Sequence, residues 1–116
     1  MRPNKKIEIS DAYIGKLYIP LKDILYIQSE KHYLLYYLLE KDSIPIKERE
    51  ILSTREHELE CFDFFKPHRR YLVNMQHIHR FDITLNSIVM PNGGTIPISK
   101  SLRDNAFDKF RKFMRR

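Results

Sequence analysis

Phe64-Phe65-Lys66-Pro67-His68-Arg69-Arg70-Tyr71-Leu72-Val73-Asn74-Met75-Gln76-His77-Ile78 is the most informative stretch of this chain. Tyr71–Val73 is a short apolar run of strand type. Asn74 closes it as an Asx-type turn former, since its side chain can take a backbone N–H two residues on. His68, flanked by strand and turn residues, is suited to fixing the loop by hydrogen bonding to backbone. Lys66 to Arg80 holds four bases, three histidines and no acid.

Outward from this stretch the pattern is repeated. Lys16–Ile19, Ile24–Ser29, His32–Leu39, Ile44–Lys47, Ile78–Phe81, Ser87–Met90 and Thr95–Ile98 are runs rich in Ile, Val, Tyr and Leu between turn residues. With Tyr71–Val73 they predict eight short strands in packed antiparallel sheets, a mainly β fold. Pro91-Asn92-Gly93-Gly94 marks a hairpin, because Asn and Gly tolerate the positive φ of tight turns. Alternation places most of Tyr33, Tyr36, Tyr37 and Tyr71 toward a core rather than on bases.

Two helices interrupt the strands. Ser53-Thr54-Arg55-Glu56 has capping-box spacing and predicts a short, polar, surface helix to about Cys61. From Ser101 to Arg116, Leu102, Ala106, Phe110 and Phe113 form one apolar stripe with Phe107 and Met114 beside it, while Arg103, Lys109, Arg111, Lys112, Arg115 and Arg116 take the other faces. That is an amphipathic helix whose stripe caps the sheet or docks on a partner.

The whole chain is 116 residues, enough for one domain burying roughly two-thirds of its unfolded surface. Hydrophobic residues at 42% exclude a disordered chain, and the longest apolar run, Tyr33 to Leu39, is far short of the roughly 20 residues of a membrane span. A single cysteine, Cys61, and the absence of a signal-type segment after Met1 to Lys6 point to the cytoplasm. The net charge of +6 attracts polyanions. It is unevenly spread: Glu40 to Asp63 carries eight acids against four bases, whereas Lys100 to Arg116 carries seven bases against Asp104 and Asp108. A smaller basic cluster, Arg2, Lys5 and Lys6, stands at the start. Such segregation is the footprint of a nucleic-acid binder, or of a basic module docking on a protein partner or an anionic membrane.

Reactive groups do not converge. His57 with Cys61 and His77 with His79 are spaced for one metal each, but neither pair is a full ligand set. Cys61 lies in an acidic helix that disfavours its thiolate. Three glycines supply no phosphate-cradling loop. No catalytic site, metal or cofactor is expected.

The Phe64–Ile78 stretch resembles the signature of the LytTR family, DNA-binding output domains of bacterial response regulators. Ile19-Pro20-Leu21-Lys22-Asp23-Ile24-Leu25-Tyr26-Ile27-Gln28-Ser29-Glu30 is similar to the family's opening strand-turn-strand, and Ile96-Pro97-Ile98-Ser99-Lys100 to its closing one. The resemblance spans about residues 14–105. It implies elongated antiparallel sheets whose loops enter successive major grooves of promoter direct repeats, two copies pairing on DNA, and an upstream receiver or other sensor that is absent from these residues.

The resemblance also implies site residues. His32 and Arg69 fall at base-contacting places, and arginine is suited to a bidentate contact with guanine O6 and N7. Lys100 stands where the family more often has Arg, which keeps the charge and loses the planar fork, so phosphate binding is expected there. Arg70 replaces a common Ser, and Lys66 a common Arg. With Lys31, Ser99 and Arg103 these complete the expected phosphate contacts. The competing expectation is that Arg69 or Arg70 pairs with acids of the Glu48–Asp63 segment.

Overall fold

Every strand pairing in the structure is antiparallel, as alternating β-branched and aromatic runs joined by short turns dictate. The computed structural model describes residues 5–40 and 43–116; Arg2 of the basic cluster and Asp42 of the acidic segment lie outside them. Seven strands form one sheet: β1 (Lys6–Asp11), β2 (Gly15–Pro20), β3 (Ile24–Glu30), β4 (Tyr33–Leu38), β5 (Ile46–Glu48), β6 (Phe64–His68) and β7 (Tyr71–Asn74). Their order is β2-β1-β5-β4-β3-β7-β6. A second sheet, in the order β10-β9-β8, is made from β8 (Arg80–Asp82), β9 (Ser87–Val89) and β10 (Thr95–Pro97). The helices are α1 (Leu52–Leu59) and α2 (Arg103–Met114), and the domain measures 39 × 35 × 27 Å, a modest elongation. The expected mainly β fold with two helices is present.

The large sheet is the middle layer. On one face Ile7, Ile9, Ile24, Ile27, Leu34, Tyr36 and Leu72 pack with Leu52 and Leu59 of α1. On the other, Leu25, Phe65, Val73 and Met75 meet Ile88, Met90, Ile96 and Ile98 of the small sheet and Ala106 of α2. Each fully buried Leu or Ile contributes about 1.5–3 kcal/mol. Burial on both faces explains why β7 reads as a continuous apolar run. The stripe of α2 does cap this core: Phe110 and Phe113 pack against it, with the Phe110 ring 4.8 Å from Phe81, whereas Met114 is exposed.

Several expectations are corrected. The capping box is not formed: Ile51 is the N-cap of α1, Ser53 lies within the first turn, and no side chain caps it. Leu52 is drawn into the core, which starts the helix earlier, and burial of Leu52, Arg55 and Leu59 gives this polar helix an inner face. The structure has two strands beyond the eight expected, β1 and β6. In β6, Pro67 argues against a strand, but β6 is a sheet edge, where a missing N–H costs no ladder bond. In β1, the alternation of Ile7 and Ile9 is real but short. The strand expected from Ile78 begins at Arg80, because Met75–His77 forms a 3-10 turn after Asn74. That expected at Ile44 begins at Ile46, beyond Pro45.

The expected turn formers hold. Asn74 is buried; its Oδ1 accepts from Gln76 N–H (3.1 Å), and its Nδ2 donates to the carbonyls of Ile24 (3.0 Å) and Leu21 (3.3 Å). In the Pro91–Gly94 hairpin, Gly93 has φ +86°, and Gly94 lies so close to Tyr26 that a Cβ would fall 2.5 Å from its hydroxyl.

Candidate nucleic-acid interface

Strand pairing brings three turns to one end of the large sheet. Glu30 pairs with Tyr33, leaving Lys31 and His32 as an exposed two-residue turn in which Lys31 adopts φ +56°. His68 pairs with Tyr71, leaving exposed Arg69 and Arg70 between β6 and β7. Because β3 also pairs with β7, the two tips are neighbours: Ser29 N–H donates to the Arg70 carbonyl (2.8 Å). The third turn is tied to β6 by Ser99 N–H, which donates to the Pro67 carbonyl (3.0 Å). Leu102 N–H then bonds the Ser99 carbonyl (3.0 Å), and the 3-10 turn Lys100–Leu102 leads into α2 with Lys100 and Arg103 exposed.

The free charges at this end are mainly positive. Lys31, Arg69, Arg70 and Lys100 make no ion pair among the described residues. Arg69 and Arg70 form no ion pair with the acidic segment among the described residues, and four of its carboxylates are engaged elsewhere: Glu48 and Glu58 by Arg55, Glu56 by Lys66, and Asp63 by Arg116. Glu30 and Asp104 are the acids that flank the turns.

The remaining expected site residues differ in readiness. Lys66 is half-buried with its ammonium 3.3 Å from Glu56. Arg103 lies over the Phe107 ring at 5.8 Å. The Ser99 hydroxyl is buried with no hydrogen-bond partner among the described residues, so it reaches a ligand only if its turn opens. A further cation lies beside the first turn. Lys47, counted within the acidic segment, stacks 4.4 Å over Tyr33, the residue that follows His32. Of the tyrosines, Tyr36 is fully buried, and Tyr33, Tyr37 and Tyr71 are half-buried.

His68 supports the second turn as expected. Its Nδ1 accepts from Arg70 N–H (3.2 Å), and its ring meets Tyr71 edge-on. Burial, then the Arg69 and Arg70 cations, hold its pKa below the ordinary 6.5. The sign follows from the bond, since Nδ1 must be unprotonated to accept it. The contribution is complete above the ordinary pKa and is lost as pH falls through the lowered one. An NMR titration should therefore place His68 below 6.5, and Arg69→Ala or Arg70→Ala should raise it. A midpoint above 6.5 would contradict this environment.

Among the described residues no group of three or more His, Cys, Asp or Glu side chains could hold a metal ion, and His77 Nε2 is bonded to the Lys22 carbonyl at 2.5 Å. Nor is any described helix long and apolar enough to cross a membrane.

A family model described as the LytTr DNA-binding domain matches residues 15–111. Among solved structures, the LytTr DNA-binding domain assigned to a methyl-accepting/DNA response regulator of Bacillus cereus superposes with a TM-score of 0.73 at 20% identity, covering 94% of this chain and 98% of that one. No curated protein matches. The sequence match begins at β2, so β1 and its share of the core lie outside it. With most of the sequence matched and the fold superposed over nearly its full length, the chain belongs to the LytTR family of DNA-binding domains.

Proposed function

We propose that this domain recognises specific double-stranded DNA as the output element of a bacterial transcription regulator in the cytoplasm, and has no catalytic role. The observation that carries this reading is the convergence of three turns on one sheet end through the Ser29–Arg70 and Ser99–Pro67 backbone bonds. Their exposed cations are not neutralised by one another's neighbours.

Arg69 and His32 read base edges in successive major grooves, and Lys31, Arg70, Lys100 and Arg103 hold phosphates. Lys66 and Ser99 join them once released from Glu56 and from their buried turn. Two copies occupy a promoter direct repeat. Control comes from a receiver or other sensor, on the same chain or in trans, in keeping with the response-regulator origin of the Bacillus cereus domain.

Selection from a random duplex library at physiological salt tests the reading. The expected product is a direct repeat with half-sites about one helical turn apart, roughly 10 base pairs. Recovery of no preferred sequence, together with retention on anionic vesicles, would replace it with a membrane-docking module.

A further inference from the structure

The turn between β8 and β9 ends in an apolar tip that the core does not use. Ile83 and Leu85 are 69% and 71% exposed. The tip is held in shape: Leu85 N–H donates to Asp82 Oδ1 (3.1 Å), Asn86 N–H to the Ile83 carbonyl (3.4 Å), and Asn86 adopts φ +51°. It is also free of net charge, because the Asp82 carboxylate is paired with Arg80 (3.5 Å) and the residues beyond it are Ile83, Thr84 and Leu85.

Its position gives the tip a partner. Asp82 pairs with Ser87 and Ser87 with Pro97, so β10 leaves the small sheet on the same side as the tip. The Asn86 carbonyl accepts from Ile98 N–H (2.9 Å), and the next residue, Ser99, is bonded to Pro67 beneath the Arg69–Arg70 turn. The turn that carries the two exposed aliphatic side chains is thus tied through Asn86 and Ile98 to the segment that leads into the Lys100 turn, and through Ser99 and Pro67 to the cationic end of the large sheet. Isolated exposed apolar residues need no explanation, but an uncharged pair on a hydrogen-bonded turn tied to a basic surface fits a ligand with both phosphates and apolar base surface.

We infer that the β8–β9 tip is a fourth DNA-contacting element, with Ile83 and Leu85 making apolar contact with bases. The inference rests on the duplex-binding reading above. Two features of DNA offer the required surface: thymine methyl groups in the major groove, and base steps opened by an apolar wedge.

The experiment compares the unaltered domain with Ile83→Ser/Leu85→Ser on the selected duplex and on a random duplex. The double variant is expected to bind the selected duplex about tenfold more weakly, with random-duplex affinity and salt dependence unchanged. Two arms use the unaltered protein on altered DNA. Uracil in place of thymine, scanned through the site, lowers affinity if methyl groups are the contact, and a 2-aminopurine step brightens on binding if the tip is a wedge.

Equal affinity of variant and unaltered protein for the selected duplex would overturn the inference. So would equal losses on both duplexes, or, should the variant not fold, a null result in both DNA arms. If the unaltered domain binds no duplex, the functional reading fails and this inference falls with it. Tight duplex binding with an inert tip leaves that reading standing.

Discussion

Arg55→Met is expected to lower the unfolding free energy by about 3–5 kcal/mol, the usual consequence of stranding a buried charge. Arg55, Glu48 and Tyr36 are 8%, 5% and 0% exposed. The guanidinium donates from Nη2 to Glu48 Oε2 (2.9 Å) and to the Glu8 carbonyl (2.7 Å), from Nη1 to Glu58 Oε1 (2.7 Å), and from Nε to the Tyr36 hydroxyl (2.8 Å). Tyr36 donates to Glu48 Oε1 (2.5 Å), whose other oxygen accepts Ser10 N–H (2.9 Å). The cluster thereby joins α1 to β1, β4 and β5.

Burial opposes the charge of Arg55, yet Tyr36, Glu58 and Glu48 more than offset it and raise its pKa. Burial, then the bond to Glu48, raises that of Tyr36. Methionine fills much of the same space but leaves the Glu48 carboxylate buried without its cation. Domains of this size have total stabilities of about 5–15 kcal/mol, so the loss is a large fraction. Urea unfolding should show a lower midpoint with unchanged slope. Adding Glu48→Gln to Arg55→Met should return part of the loss, because the stranded charge is then removed. A cost below about 1 kcal/mol for Arg55→Met would mean that the cluster does not couple these elements.

Arg55 also marks a limit of what the sequence discloses. In a polar helix between Glu50 and Glu60 it reads as solvated, and nothing local shows that Glu48 and Tyr36, on two strands, supply a buried counter-charge and acceptor. Strands built on unbroken apolar runs of β-forming residues, such as β3 and β4, and the Asn92-Gly93-Gly94 turn are legible because their signals are local. Strand β6 is not, since Pro67 is admissible only at an edge, and being an edge depends on the other six strands. The individual turns of the site resemble the family's in sequence, with Lys66, Arg70 and Lys100 as departures. Their convergence is a tertiary fact, set by pairing of β3 with β7 more than forty residues later. In the same way Ile83 and Leu85 look like any core aliphatics in sequence, and only their projection from the small sheet exposes them.

Arg69→Ala and Arg70→Ala are expected to fail in different ways, although the residues are adjacent and both exposed. Arg69 stands at the turn without an ion pair among the described residues, free to present a planar fork. A bidentate contact with guanine discriminates by about 1–3 kcal/mol. Its loss should weaken the selected duplex about 5- to 150-fold, relax the preference at one base position, and leave random duplex nearly unaffected. Arg70 has its backbone fixed on both sides, its N–H by His68 Nδ1 and its carbonyl by Ser29 N–H. These groups survive substitution by alanine, so the turn is retained and only the exposed cation, which the proposed reading directs at phosphate, is removed. Arg70→Ala should therefore weaken selected and random duplexes alike and reduce the salt slope by about 0.9. Arg69→Lys separates charge from geometry: it should match the unaltered domain on random duplex and not recover the lost base preference. Fluorescence anisotropy across a salt series on both duplexes reads all three variants. Equal losses on the two duplexes for Arg69→Ala would remove Arg69 from base reading and make it one more phosphate contact.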